Sequence, residues 1–124
     1  MKRILSLIPV LFLIIHAGFT QSTRLTVDQF DKNIKQGGFV LVDIRTPREY
    51  SSGHIDKAIN IDFYSPDFQT EFEKAVGNKK ALIYCASGNR SNQALQIFQK
   101  NRNLKMFDLV GGIQAWKGSG RLLK

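Results

Sequence analysis

Apolar residues recur along this chain in two rhythms: spaced by three and four in some stretches, and packed into short unbroken runs in others. Thr26 followed by Val27, Phe30 and Ile34 predicts a capped helix, which Gly37-Gly38 ends. Phe39, Val40, Leu41 and Val42 then form a continuous apolar run closing on Asp43. Such a run predicts a strand covered on both faces, as in a parallel sheet. Thr46-Pro47-Arg48-Glu49 predicts a helix start, with Pro at the first helical position and a Thr/Glu capping box. Residues 58–61, Ala-Ile-Asn-Ile, supply a second, shorter strand.

Ser65-Pro66 opens a further helix carrying Phe68, Phe72 and Val76 on one face, and Gly77-Asn78 stops it. Residues 81–84 give the next strand, which runs into Cys85. Residues 91–100 read as a helix with Ala94, Ile97 and Phe98 inward and Gln93, Gln96 and Lys100 toward water. A strand over residues 106–110 follows, and Gly111-Gly112 turns the chain into a terminal helix that buries Trp116. Strands separated by helices, with no repeat or linker, predict one small α/β domain over residues 23–124. Its sheet should be mainly parallel and twisted, with helices on both faces.

The first twenty residues follow a different pattern. A basic head of Lys2 and Arg3 precedes an apolar run over residues 4–15, broken only by Ser6 and Pro9, and then a small polar stretch. These are the three parts of a secretory signal peptide, expected over residues 1–20 with cleavage near 20–22. The apolar run is shorter than the roughly 20 residues that span a bilayer comfortably. The expectation is therefore an exported chain, periplasmic or extracellular; if the segment is retained, it is a membrane anchor instead.

Composition narrows the chemistry. Of 124 residues, 43% are hydrophobic and 23% charged, the balance of an ordinary globular protein. One cysteine rules out an internal disulfide framework and a Cys-only zinc site, and two histidines support no His-rich metal centre. The formal charge is +8, but Lys79, Lys80, Lys100, Lys105 and Arg121 are scattered over several segments. That is a solvated basic surface attracting small anions, not the clustered footprint of a nucleic-acid binder.

Attention then falls on the lone thiol. Cys85 ends a strand, Ala86-Ser87-Gly88-Asn89 is a loop of small residues, and Arg90-Ser91 leads into a helix. In open parallel α/β sheets ligands bind just beyond the carboxyl ends of the strands. Small residues let consecutive backbone N–H groups turn inward as an anion-binding nest, and the helix start adds unpaired N–H groups and a positive dipole end. Arg90 can bring a full positive charge to the same place. An ordinary thiol is only about 3% ionised at pH 7, so such a cradle is what a sulfur nucleophile requires. Cys85 is therefore the candidate catalytic residue, with Ala86, Ser87, Gly88, Asn89, Arg90 and Ser91 as candidate substrate-binding residues. Taken singly, Cys85 reads as a small buried hydrophobe, Arg90 as a salt-bridging side chain and Ser91 as a helix cap.

Four stretches together resemble the single-domain rhodaneses, which are sulfurtransferases. They are Val42-Asp43-Ile44-Arg45-Thr46-Pro47-Arg48-Glu49-Tyr50; Gly53-His54-Ile55 with Ala58-Ile59-Asn60-Ile61; the loop from Cys85 to Ser91; and Leu109-Val110-Gly111-Gly112-Ile113-Gln114-Ala115-Trp116. The resemblance implies the rhodanese fold and a thiolate at Cys85 that takes a sulfane sulfur from a donor such as thiosulfate. The resulting persulfide would pass its sulfur to cyanide or a thiol. It implies no metal or organic cofactor, a small anionic donor and a thiol or cyanide acceptor, with a protein acceptor as the variant. Related phosphatases use a cysteine-to-arginine loop one residue longer, whereas Cys85 to Arg90 spans six residues, the length associated with sulfur transfer. One departure is visible: where the family usually has Pro-Gly after Gly-His-Ile, this chain has Asp56-Lys57. The alternative to an enzyme is a non-turnover persulfide carrier or sulfide-binding module that serves one protein partner.

The remaining motif residues are expected to support the site. Asp43 should accept hydrogen bonds from loop N–H groups, and Arg45 should pair with Glu49 four residues on. His54 reads as structural, Gly111-Gly112 as a tight turn, Trp116 as core filler and Asp108 as solvated.

Overall fold

A computed structural model describes residues 23–124 apart from Arg102, so the segment expected to be a signal peptide lies outside the described residues. The elements run β1 (Arg24–Leu25), α1 (Val27–Gln36), β2 (Phe39–Asp43), α2 (Pro47–Ser51), β3 (Ile59–Asn60), α3 (Phe68–Val76), β4 (Lys80–Tyr84), α4 (Asn89–Phe98), β5 (Met106–Leu109) and α5 (Gly112–Gly118). The five strands form one sheet in the order β1-β5-β4-β2-β3, and every pairing is parallel. β4 is the central strand, and its carboxyl end delivers Cys85.

Alternation along the strands sorts the core into two halves, because successive side chains point to opposite faces. Val42, Ile44, Ala81, Ile83, Cys85 and Met106 share one side with Phe68, Phe72 and Val76 of α3 and Ala94 and Phe98 of α4. Leu41, Leu82, Tyr84 and Leu109 share the other with Phe30 of α1 and Ile113 and Trp116 of α5. Both faces are covered, which is why the strands read as unbroken apolar runs rather than alternating ones. On the first side Phe68, Phe72 and Phe98 stack and tilt against one another at ring separations of 4.9–5.9 Å. Each large side chain buried this way contributes about 1.5–3 kcal/mol.

Local signals set several boundaries as expected. Thr26 and Thr46 each close a full capping box, with Gln29 and Glu49 respectively, and Pro47 opens α2. Other positions differ. Ser65-Pro66 lies in a turn, and α3 begins only at Phe68 behind Asp67. The helix read over residues 91–100 starts at Asn89, so Arg90 and Ser91 belong to its first turn. Ile97 is exposed, and Leu95 packs against the core instead, because the inward stripe of α4 runs through Ser91, Ala94, Leu95 and Phe98 at spacings of three and four. The two-residue strand β1 has no readable apolar run and escaped the sequence pattern.

Candidate active site

Cys85 emerges from β4 directly into the loop, and its sulfur is almost fully enclosed, with the residue 1% exposed. Two backbone amides point at it: the Gly88 N–H donates to Sγ at 3.1 Å and the Ser91 N–H at 3.4 Å. Gly88 makes this curl possible by adopting a left-handed conformation, φ 97°, at the N-cap of α4. N–H groups converging on a sulfur favour negative charge there, and the start of α4 adds the positive end of its dipole. The buried thiol therefore sits in apolar surroundings on its core side and faces polar donors on its loop side.

The loop is braced from α5. The Ile113 N–H donates to the Cys85 carbonyl at 2.9 Å and the Gln114 N–H to the Ala86 carbonyl at 3.1 Å. This close approach explains Gly112, where a Cβ would lie 2.5 Å from the Cys85 carbonyl oxygen and 2.6 Å from the Ala86 carbonyl carbon. Ser87 and Asn89 are exposed on the outer side of the loop and Ala86 is half-buried. These side chains leave the mouth of the site small and polar.

Arg90 does not place its guanidinium nitrogens on the sulfur. Nη1 and Nη2 donate to Oε1 and Oε2 of Glu49 at 2.8 and 2.9 Å, and the guanidinium lies over the Tyr64 ring at 5.7 Å. The Glu49 partner raises the affinity of Arg90 for its proton, and Cys85 adds a smaller through-space effect in the same direction. In return the Arg90 hydrogen bond holds the Glu49 carboxyl down to about 2, against the opposing effect of burial. A permanent positive charge thus stands beside the loop, oriented by a helix from elsewhere in the chain.

Three expectations are corrected. Arg45 pairs with Asp43, not Glu49: its Nη2 meets Asp43 Oδ2 at 2.7 Å and also donates to the Gly53 carbonyl. The side chain of Arg45 turns inward along β2, while Glu49 is claimed by Arg90. Asp43 accepts from the Arg45 N–H and guanidinium, not from the Cys85 loop, because alternation along β2 puts it on the opposite face of the sheet. Asp108 is fully buried rather than solvated, held by Arg24 at 3.1 Å and by the Ser91 hydroxyl at 2.8 Å. Its place on β5, one residue before a buried Leu109, was legible; its partner Arg24 was not, because β1 was missed. His54 stacks on Tyr50 at 3.8 Å and exchanges backbone hydrogen bonds with Lys124, a structural role.

Comparisons with known proteins bear on the family and the fold. The family model described as the rhodanese-like domain matches residues 26–119. A thiosulfate:glutathione sulfurtransferase of Saccharomyces cerevisiae is 33% identical over 111 residues, covering 81% of this chain and 76% of that protein. A rhodanese-related protein of Thermoplasma volcanium superposes with a TM-score of 0.71 at 29% identity, covering 82% of this chain and 96% of the other. A rhodanese-like domain protein of Staphylococcus aureus, 24% identical with a TM-score of 0.64, covers 75% of this chain and 89% of its own and shares the fold.

Proposed function

The chain belongs to the rhodanese-like domain family, and from that premise we propose that it is a sulfurtransferase working through a persulfide on Cys85. The observation that carries this reading is the pair of amides, from Gly88 and Ser91, converging on the sulfur of the sole cysteine. In the first half-reaction the Cys85 thiolate attacks the outer sulfur of thiosulfate. A new S–S bond forms, the donor's S–S bond breaks, and sulfite leaves with its electron pair. In the second, an acceptor thiolate, or cyanide, attacks the outer sulfur of the persulfide. Cys85 leaves as a thiolate, its charge received by the same two amides. Ala86, Ser87 and Asn89 shape the small entrance, and Arg90 attracts the anionic donor. Glutathione is a natural acceptor to test, since the yeast relative is described as using it. The basic head and apolar run over residues 1–20 support export, so that the reaction takes place outside the cytoplasm.

Treatment of the protein with thiosulfate should add about 32 Da, the mass of one sulfur atom, and Cys85→Ser should remove both the adduct and turnover. Undiminished turnover in Cys85→Ser overturns the proposal. The small side chains of Ala86, Ser87 and Asn89, which offer little recognition of any particular small substrate, favour a second reading, in which the persulfide is handed to one dedicated protein. A loaded chain that releases no sulfur to small thiols over many cycles would select it.

A further inference from the structure

Behind the sulfur lies a polar chain that the transfer mechanism does not use, buried at Ser91 and Asp108 and reaching the surface at Arg24. Asp108 on β5 stands in register with Arg24 on the adjacent strand β1. Its carboxylate accepts from Arg24 Nε at Oδ1, 3.1 Å, and from Nη2 at Oδ2, 3.2 Å, while the side chain is fully buried. Ser91 Oγ lies 2.8 Å from Asp108 Oδ2, 3.2 Å from the Gly88 carbonyl and 3.6 Å from Cys85 Sγ. Arg24 Nη2 also reaches the Gly88 carbonyl at 3.3 Å. The two residues whose amides touch the sulfur are thus both tied, through their other polar groups, to the Arg24–Asp108 pair.

A serine hydroxyl has one proton to give. Of the three acceptors within reach, the carboxylate is charged and nearest, so it takes that proton. The Ser91 oxygen then presents a lone pair to Cys85. A lone pair can receive the S–H of a thiol and cannot donate to a thiolate. We propose that Arg24 and Asp108 are positioning residues that fix the direction of the Ser91 hydrogen bond, so that the serine proton is withheld from Cys85 and the reactivity of the sulfur is restrained to what the two amides provide. The proposal rests on Cys85 being the reacting sulfur, but it concerns that sulfur before any donor arrives. Holding back the third donor spares the sulfur from adventitious oxidants, which attack thiolates fastest.

Asp108→Asn reverses the contact. The oxygen of the introduced amide stays with Arg24, its N–H groups face Ser91 Oγ, and the serine proton becomes free for the sulfur. The readout is the rate of Cys85 alkylation by iodoacetamide at neutral pH, followed by intact mass on the folded chain. Asp108→Asn should speed it by about three- to tenfold, the net effect of one hydrogen bond. In a Ser91→Ala background the same substitution should change the rate by less than about twofold, because nothing remains for Asp108 to orient. Ser91→Thr, which keeps a hydroxyl, should restore the response. Asp108→Val, which suits a strand and leaves Ser91 without the carboxylate, should act in the same direction and serves if the amide variant does not fold. A loosened loop would speed alkylation in both backgrounds; acceleration that persists without the serine hydroxyl overturns the proposal, as does no acceleration in either folded Asp108 variant. Failure of the wild-type chain to load sulfur from thiosulfate would remove the transfer reading and leave this measurement standing.

Discussion

Arg90 and Glu49 form a two-pronged ion pair, Nη1 to Oε1 at 2.8 Å and Nη2 to Oε2 at 2.9 Å, across 41 positions of sequence. Glu49 is at the same time the returning arm of the α2 capping box, its Oε1 accepting from the Thr46 N–H and hydroxyl. One carboxylate therefore starts a helix and orients the cation beside the Cys85 loop. The arrangement needs α2 to be placed by β2 and the loop by β4, which are neighbours in the sheet.

The first prediction follows from the Glu49 carboxyl, which the Arg90 hydrogen bond lowers from 4.5 to about 2. A carboxyl lowered in the folded state contributes stability that is complete above about 4.5 and lost as pH falls toward 2. The pair is partly exposed, so its worth at neutral pH is about 1 kcal/mol rather than the full linkage value. Glu49→Gln should lower stability by about that amount at neutral pH and by nothing near the acid end. Urea unfolding across that range checks it, and a deficit that does not change with pH would point to lost packing instead.

Gly112 gives a second prediction. Its φ is +59°, and a Cβ there would press on the Cys85 and Ala86 backbone at 2.5–2.6 Å. Gly77 has a nearly identical φ of +57° with open space around it. Gly77→Ala should cost only backbone strain, about 1–3 kcal/mol, since its ψ of −127° suits glycine alone. Gly112→Ala should cost about 1–3 kcal/mol more, the range for forced overpacking, and should lower Cys85 reactivity because the loop itself must move. Equal losses in the two variants would show that the loop yields without resistance.

The ladder of helices and strands was legible because both helix caps and apolar runs are local signals: Thr26, Pro47 and the run over residues 39–42 declare themselves within a few residues. The thiol and its loop were legible for the same reason, since strand, small residues and helix follow one another directly. What local pattern could not show is which charged groups meet across the sheet. Arg45 faced two carboxylates at similar sequence distance, and only the pleat decides for Asp43. Asp108 looks like any polar residue until β1, two residues long and without an apolar run, brings Arg24 beside it. Ser91 read as a helix cap, but Gly88 occupies that position and frees the Ser91 hydroxyl for Asp108.

A third prediction separates the two buried ion pairs. Asp43 and Arg45 lie against Tyr84 and the Gly53 carbonyl, on the face of the sheet away from Cys85. Asp43→Ala strands the Arg45 guanidinium in a site where it is 6% exposed, and should lower stability by about 3–5 kcal/mol. Alkylation of Cys85 in the fraction that remains folded should stay within about twofold of wild type, since the pair makes no hydrogen bond to the loop. A large change in reactivity would place Asp43 in the working site after all.

Lys57 offers a substitution that should stabilise. It is the one non-glycine residue with positive φ, +71°, among those described, and it lies in the turn closed by the Ala58 N–H on the Ile55 carbonyl at 3.0 Å. This is the position where the family pattern carries glycine. A side chain held in the left-handed region costs about 1–2 kcal/mol. Lys57→Gly removes that strain but gives back about 0.4–1 kcal/mol through the freer unfolded chain. The net gain should be about 0.5–1 kcal/mol, a rise of roughly 3–6 °C in Tm for a domain of this size. Lys57 is exposed, so no packing is lost to obscure the comparison. A lower Tm would mean that the lysine side chain makes a contact worth more than the strain it imposes, and the natural use of that contact would then be sought at the surface beside the turn.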